Sequence, residues 1–466
     1  MPDLEYIFHP KSIAIVGASP NPSSIVNYFF LDTLIQFGYE GKLYPIHPTA
    51  SKIAGLKVYP SITDVPGPVD HVICGINAKL TPNLTRECVV KGVKVLQFYT
   101  SGFSETGEEE GIRLQKEIAE IARTSGMRIL GPNCMGIYCP SSKISYEASL
   151  SKESGNVGFF SQSGGNAVEG AQLADARGIY FSKIVSFGNA SDINESDLLE
   201  YLTHDPQTTI IVGYIEGTKD GKRFASVLRE AARTKPIIIV KGGLSEPGTA
   251  AVASHTGSLA GNNIVWGSLF DQLGIIQVYN FEEMVDLLLL FQHLEPPGGR
   301  RAGLVVAGGG NSILATDNCE MEGLSVPPFP QTIQRNLQEF FPRKPSPGTI
   351  VRNPVDPSDL GWDPGIFSNV LKTLDNYDGV DLILAYARTT VNIDQMNIVI
   401  DSLIETKKHL DKPIALIAHH SEEPKSVSDA YEIQNRCHQA GIPVFPSFNR
   451  AARAMSRFIQ YYERKQ

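Results

Sequence analysis

Three segments of this sequence return later in the chain in the same order, and that duplication restricts the fold more than any other feature. "GFFSQSGGNAVEGAQLADARGI" (158–179) aligns with "GLVVAGGGNSILATDNCEMEGL" (303–324), each reading as a strand, a glycine-rich turn ending in Gly-Asn, and a helix. "KPIIIVKGG" (235–243) pairs with "KPIALIAHH" (412–420). "GIIQVYNFEEMVDLLLLFQHL" (274–294) pairs with "GIPVFPSFNRAARAMSRFIQYY" (441–462), a strand and a closing helix. One echo arises easily by chance; three in order, from 155 onward, predict two tandem copies of one α/β domain. "EPPGGRRA" (295–302) reads as the linker by its Pro/Gly content. The second copy carries a proline-rich excursion at 341–365, expected to be an ordered loop.

Ahead of the repeats, the first 145 residues alternate short β-branched runs with longer amphipathic stretches. "SIAIVGA" (12–18), "KLYPI" (42–46), "HVICGI" (71–76), "VKVLQFY" (93–99) and "RILGP" (128–132) read as strands, and 107–126 as a helix with an acidic first turn. This alternation predicts a parallel, doubly wound sheet.

The net charge of −9 excludes a dedicated nucleic-acid binder, which carries a basic excess. Six cysteines without a CxxC pair read as reduced thiols. The N-terminus lacks a signal-peptide pattern, and no apolar run approaches the ~20 residues that span a bilayer. The expectation is a soluble cytoplasmic protein with no bound metal.

"IAIVGASPNPSS" (13–24) runs from a strand into a small-residue turn and then a helix, a natural phosphate site. NAD fits poorly, because Gly17 stands alone and His47 occupies the place of the ribose-binding acid. Another phosphorylated nucleotide, or a packing turn without ligand, remains. Loops 76–79, 100–107 and 131–136 also follow strands. Cys134, in the last, has no acid–base neighbours in sequence and reads as a small buried hydrophobe. The two glycine turns each start a helix, and if both aimed at one point they would make a strong anion site. His255, in "AVASHTGSLAGNN" (251–263), reads as a bare flexible loop histidine. It is either a solvated residue or a nucleophile carrying a phosphoryl group, with Glu216, at the end of a strand, orienting its ring. The second copy has Arg388 in place of that acid and no such histidine.

"ASHTGSLAG", together with "VGASPNP", "GPNCMG", "FSQSGG", "VSFGNASDINESDLLEYL" and "YIEG", resembles the α subunit of NDP-forming acyl-CoA synthetases, relatives of succinyl-CoA synthetase. The resemblance covers essentially the whole chain. It implies an N-terminal Rossmann-like CoA-binding domain (1–147) followed by two tandem flavodoxin-like, succinyl-CoA-synthetase-type domains (151–295 and 300–466). It makes His255 the phosphorylated residue and Glu216 its orienting carboxylate. Gly17, Ala18, Ser19, Lys79, Ser101, Gly102 and Asn133 become coenzyme A contacts. Ser161, Gln162, Ser163, Gly164 and Gly165, with Gly309, Gly310, Asn311 and Ser312, become the phosphate cradle. The implied reaction is an acid–CoA ligase relay: acyl-CoA and phosphate give an acyl phosphate, which phosphorylates His255, which in turn makes ATP or GTP. No Walker loop is visible, since Thr249 stands where lysine should be in "GLSEPGTA". The nucleotide, with Mg, is therefore expected on a separate ATP-grasp β subunit. Bulkier or polar residues in "YTSGFSETG", "ISYEASL" and at Asn166 leave the acid open between acetate and a different or larger one. The other reading of the same fold is a CoA-binding regulatory protein without turnover.

Overall fold

Short β-branched runs, each followed by a glycine or polar turn, produce the strands where the alternation places them. The computed structural model describes residues 4–256, 262–341, 349–357, 363–388, 393–419 and 423–465. A short α1 (Glu5–Phe8) leads into β1 (Ser12–Val16), α2 (Thr33–Phe37), β2 (Lys42–Ile46) and a small hairpin of β3 (Lys52–Ile53) and β4 (Leu56–Lys57). Then come β5 (His71–Cys74), α3 (Thr81–Lys91), β6 (Val95–Phe98), α4 (Glu109–Ser125) and β7 (Arg128–Leu130). The first sheet has the order β2-β1-β5-β6-β7, all parallel. β1 and β5 are buried at every position, as strands covered on both faces must be.

The second sheet takes β8 (Gly136–Tyr138), β9 (Val157–Ser161), β10 (Phe181–Ser186), β11 (Ile210–Ile215), β12 (Ile237–Lys241) and β13 (Ile276–Val278). Between them run α5 (Gly164–Asp175), α6 (Glu195–His204), α7 (Gly221–Thr234), α8 (Glu246–Thr256) and α9 (Asn263–Leu273), and α10 (Phe281–His293) follows. Asn194 and Asp197 close a reciprocal capping box at the start of α6, which fixes the entry from the preceding loop. The third sheet is built from β14 (Ala302–Val305), β15 (Ile350–Val351), β16 (Val355–Asp356), β17 (Leu382–Arg388), β18 (Ile414–His419) and β19 (Val444–Phe445). Its helices are α11 (Gly309–Met321), α12 (Gln331–Gln338), α13 (Pro364–Asp375), α14 (Ile393–Lys407), α15 (Pro424–Gln439) and α16 (Phe448–Glu463).

The duplication is visible in topology. The second sheet runs β13-β12-β11-β9-β10-β8 and the third β19-β18-β17-β14-β16-β15, so strand for strand both follow the flavodoxin-like order. Each also carries one antiparallel edge strand, and here the copies differ in source. β8 pairs with β10 from residues that precede its own copy, whereas β15 pairs with β16 from inside the proline-rich excursion. That excursion is therefore partly strand; its residues 342–348 and 358–362 lie outside the described residues.

The chain forms two compact units, 1–281 and 282–466. Within the second, α16 fastens α10 through charge. Arg450 grips buried Asp286 at 2.6 and 2.8 Å, and Arg453 and Arg457 reach Glu283 at 3.1 and 2.8 Å. Among the described residues no helix is long and apolar enough to cross a membrane.

Candidate active site

The first sheet reverses its winding between β1 and β5, and a crevice opens there at the C-terminal ends of the strands. A cleft of about 530 Å³ fills this place, lined by Gly17, Ala18, Ser19, His47 and Ile76 among others. Gly17 turns the chain at φ +102°, and a Cβ on it would stand 3.0 Å from the backbone of Gly75, so only glycine meets both demands. The helix beyond the turn starts at Ile25, set back from where the sequence suggests, and passes through π-helical Asn27–Asp32. The reason is Asn27. Buried in that stretch, it accepts the Ser19 N–H at 3.0 Å and donates to the Ser19 carbonyl at 2.6 Å, pinning the turn from below. Lys79 does not line the cleft; it is exposed and pairs with Glu110 at 3.0 Å.

Ser101 and Gly102 follow β6. Glu105 Oε1 takes the N–H groups of Gly102 and Phe103 at 2.6 and 3.1 Å, and its other oxygen accepts from Asn189 at 2.5 Å in the loop after β10. Asn133, after β7, adopts φ +57° and donates its N–H to Thr100. Its carbonyl lies 2.4 Å from where a Cβ of Gly188 would be, so that position too accepts only glycine. Asn189 and Ser191 donate their N–H groups to Pro132 and Gly131, both at 2.9 Å. Arg128 clamps Asp192 at 2.8 and 3.0 Å. The loops of the first sheet are thus interlocked with those of the second. Cys134 sits among them fully buried, and burial pushes its thiol far above the usual range, which leaves it inert.

The glycine turn of the first copy lies against this junction. Ser161 ends β9 and donates its hydroxyl to the Ser163 carbonyl at 2.6 Å. Ser163 caps α5 by accepting the Asn166 N–H at 3.3 Å. Met135 covers Gly164 so closely that any side chain there would strike it, while Gly165 is exposed with open space around it. Gln162 differs from its expected role in one respect. Its Oε1 accepts the backbone N–H groups of Glu216 and Gly217, the latter at 3.1 Å, so this oxygen serves the carboxylate's loop.

Glu216 is buried just beyond β11. Tyr214 donates its hydroxyl to Glu216 Oε1 at 3.2 Å, and Lys241 donates to the Glu216 carbonyl at 2.7 Å. Lys241 is itself buried under the Trp266 ring. Burial lowers its pKa to about 8, against the pull of Glu216. Unfolded, a lysine titrates near ~10.4. Between those values the unfolded chain binds more protons, so stability rises with pH there as the cost of burying the ammonium is relieved. Denaturant titrations from about pH 7.5 to about pH 10 should show a flatter pH dependence in Lys241→Met than in the parent.

His255 falls in the last turn of α8, not in a bare loop: the run Ala250, Ala251, Val252, Ala253 favours helix over coil. Its side chain and residues 257–261 lie outside the described residues. α8 packs on the short 3-10 helix Ser104–Thr106 of the loop after β6, which brings the histidine's helix to the C-terminal end of the first sheet's strands. In the second unit, Gly309, Gly310, Asn311 and Ser312 form the first turn of α11. Gly308, at φ +97°, donates its N–H to Asp356 at 3.0 Å, and no side chain caps this helix. The Arg388 side chain lies outside the described residues.

Sequence reasoning missed Asn27, Glu105, Asn189 and Lys241. Only Lys241 left a trace, as a lone cation closing the apolar run "KPIIIVK".

A CoA binding domain profile matches residues 11–140, and one for a succinyl-CoA ligase like flavodoxin domain matches 154–291. The alpha subunit of ADP-forming acetate–CoA ligase I from Pyrococcus furiosus is 35% identical, over 98% of this chain and 97% of that subunit. An ADP-forming acetate–CoA ligase from Methanocaldococcus jannaschii is 40% identical over 76% of this chain, which matches 49% of that longer protein. An acetyl-coenzyme A synthetase 1 from Ca. Korarchaeum cryptofilum, solved with phosphate and ADP, matches with TM-score 0.84 at 32% identity, over 99% of this chain and 97% of that one. With a relative at 35% identity matched along nearly the whole of both chains, this chain belongs to the family of alpha subunits of ADP-forming acetate–CoA ligases.

Proposed function

We propose that this chain performs the acyl half of an ADP-forming acid–CoA ligase and passes a phosphoryl group through His255 to an ATP-grasp β subunit that holds the nucleotide and Mg. The observation that carries this reading is one convergence within residues 1–281. The loops of the CoA-type sheet, the N-terminus of α5, buried Glu216 and the helix bearing His255 are joined by direct hydrogen bonds or packing. In the direction of nucleotide synthesis, a phosphate oxygen attacks the thioester carbonyl and the CoA thiolate leaves. The imidazole of His255 then attacks the phosphorus of the acyl phosphate, and the carboxylic acid leaves as its anion. Glu216 accepts a hydrogen bond from the N–H of the other ring nitrogen, which fixes that tautomer and so keeps the attacking nitrogen unprotonated. The amides of α5 meet the phosphate charge, as helix N-termini do. Residues 1–147, 151–295 and 300–466 serve as CoA-binding, histidine-bearing and second cradle modules, with Gly309–Ser312 contributing from the last. The compartment is the cytoplasm.

The test is acyl-CoA formation from a panel of carboxylic acids, CoA and ATP, by this chain mixed with its β partner. Acyl-CoA and ADP in equal amounts, with neither subunit active alone, are expected. CoA binding without turnover on any acid contradicts the proposal and leaves the binding-only role. In the same assay Gly17→Ala, strained at φ +102° and pressed on Gly75, should raise the KM for CoA about tenfold. His255 phosphorylation by a supplied acyl phosphate should be unchanged.

A further inference from the structure

Glu216 is held by its main chain from two sides, Gln162 taking its N–H and Lys241 its carbonyl. What remains to be set is the direction of the carboxylate. Tyr214 lies two residues earlier in β11, hence on the same face of the sheet, and its hydroxyl donates to Oε1 at 3.2 Å.

The surroundings are shaped to this pair. A Cβ on Gly242 would stand 2.8 Å from the Tyr214 hydroxyl and 3.4 Å from the Glu216 side chain, so the backbone passes there only as glycine. The Tyr214 ring rests 6.1 Å from that of Phe281. Burial and the Glu216 charge hold the phenol well above its usual pKa, so it stays a donor at neutral pH.

We propose that Tyr214 is a positioning residue for histidine phosphorylation, its hydroxyl fixing the carboxylate of Glu216 toward the ring it orients. This rests on the relay through His255 proposed above. Single-turnover phosphorylation of the full chain, from acyl-CoA and labelled phosphate, tests it. Tyr214→Phe keeps the ring and removes the bond; the rate should fall about tenfold, the worth of one charged hydrogen bond, with the KM for CoA unchanged. In a Glu216→Gln background the same substitution should alter the rate less than about twofold, because its effect acts through that carboxylate. Gly242→Ala, whose added carbon would stand 2.8 Å from the Tyr214 hydroxyl, should give a smaller loss, likewise silent in Glu216→Gln, and decides the matter if Tyr214→Phe does not fold. Parent-like rates in both variants, or losses that multiply with that of Glu216→Gln, overturn the assignment. A parent chain that takes no label overturns the relay itself.

Discussion

A His255→Ala chain, mixed with its β partner, is expected to lose acyl-CoA synthesis by more than about 10⁴-fold while binding CoA as the parent does. Removing a nucleophile removes the covalent route altogether, and what is left is the far slower background of positioned reactants. CoA affinity should survive because the cleft beside Gly17 lies on the first sheet, whereas α8 packs on the Ser104–Thr106 turn after β6. Glu216→Gln keeps the shape but not the charge, and should slow turnover by about 10²-fold, in the range of a general-base contribution. Steady-state rates and calorimetric CoA titrations read both outcomes. A His255→Ala chain retaining a tenth of parent activity would mean the phosphoryl group takes another path.

The largest effect on stability is expected at Lys183. This lysine projects from β10 into the interior at 1% exposure, donating to Asp205 at 2.8 Å and to Gln207 at 2.9 Å. Its ammonium also lies 5.7 Å from the Phe8 ring centre and 6.0 Å from that of Tyr201, so it ties the N-terminal α1 to the second sheet. Lys183→Met leaves the Asp205 carboxylate buried and unneutralised and should cost about 3–5 kcal/mol. Changing Asp205→Leu as well should recover most of that loss, since an apolar pair of similar volume often replaces a buried ion pair without penalty. Burial alone would raise the Asp205 pKa, but the hydrogen bonds from Lys183 and Thr208 and the lysine charge outweigh it and leave it below the usual value. A depressed carboxylate adds stability above its unfolded pKa, near ~3.9, and loses it as pH falls through the folded value. In urea titrations the parent should therefore lose stability on acidification through this window, and Lys183→Met should lose less.

The parts of the fold that were legible in the sequence are those with local causes. Strand β2 matches "KLYPI" residue for residue, and α4 fills all but the ends of 107–126. The tandem copies were visible because each repeats a strand, a glycine turn and a helix in order. The edge strands β8 and β15 were not, because three or two residues carry no period to detect. "AVASH" misled because the glycines after it suggested a loop, whereas its alanines complete a helix turn. The site divides the same way. Small residues after strands marked the turns at Gly17, Gly102 and Asn133, which adopt positive φ, and at Gly164, which Met135 closes over. The side-chain commitments were hidden. Gln162 reads as one more polar residue in a phosphate turn, yet its amide oxygen serves Glu216 and Gly217, more than fifty positions away. Asn27 and Glu105 likewise act on backbone that only the fold brings to them.

The central claim is that one imidazole carries the phosphoryl group between an acyl site on this chain and a nucleotide site on another. Its most direct measurement omits the nucleotide and the partner. The chain alone is given acyl-CoA and labelled phosphate, and the protein is digested and sequenced by mass spectrometry. The account predicts one acid-labile, base-stable phosphate per chain, on His255, with release of free CoA. Free CoA and acyl phosphate with no label on the protein, or a label on any other residue, would contradict it.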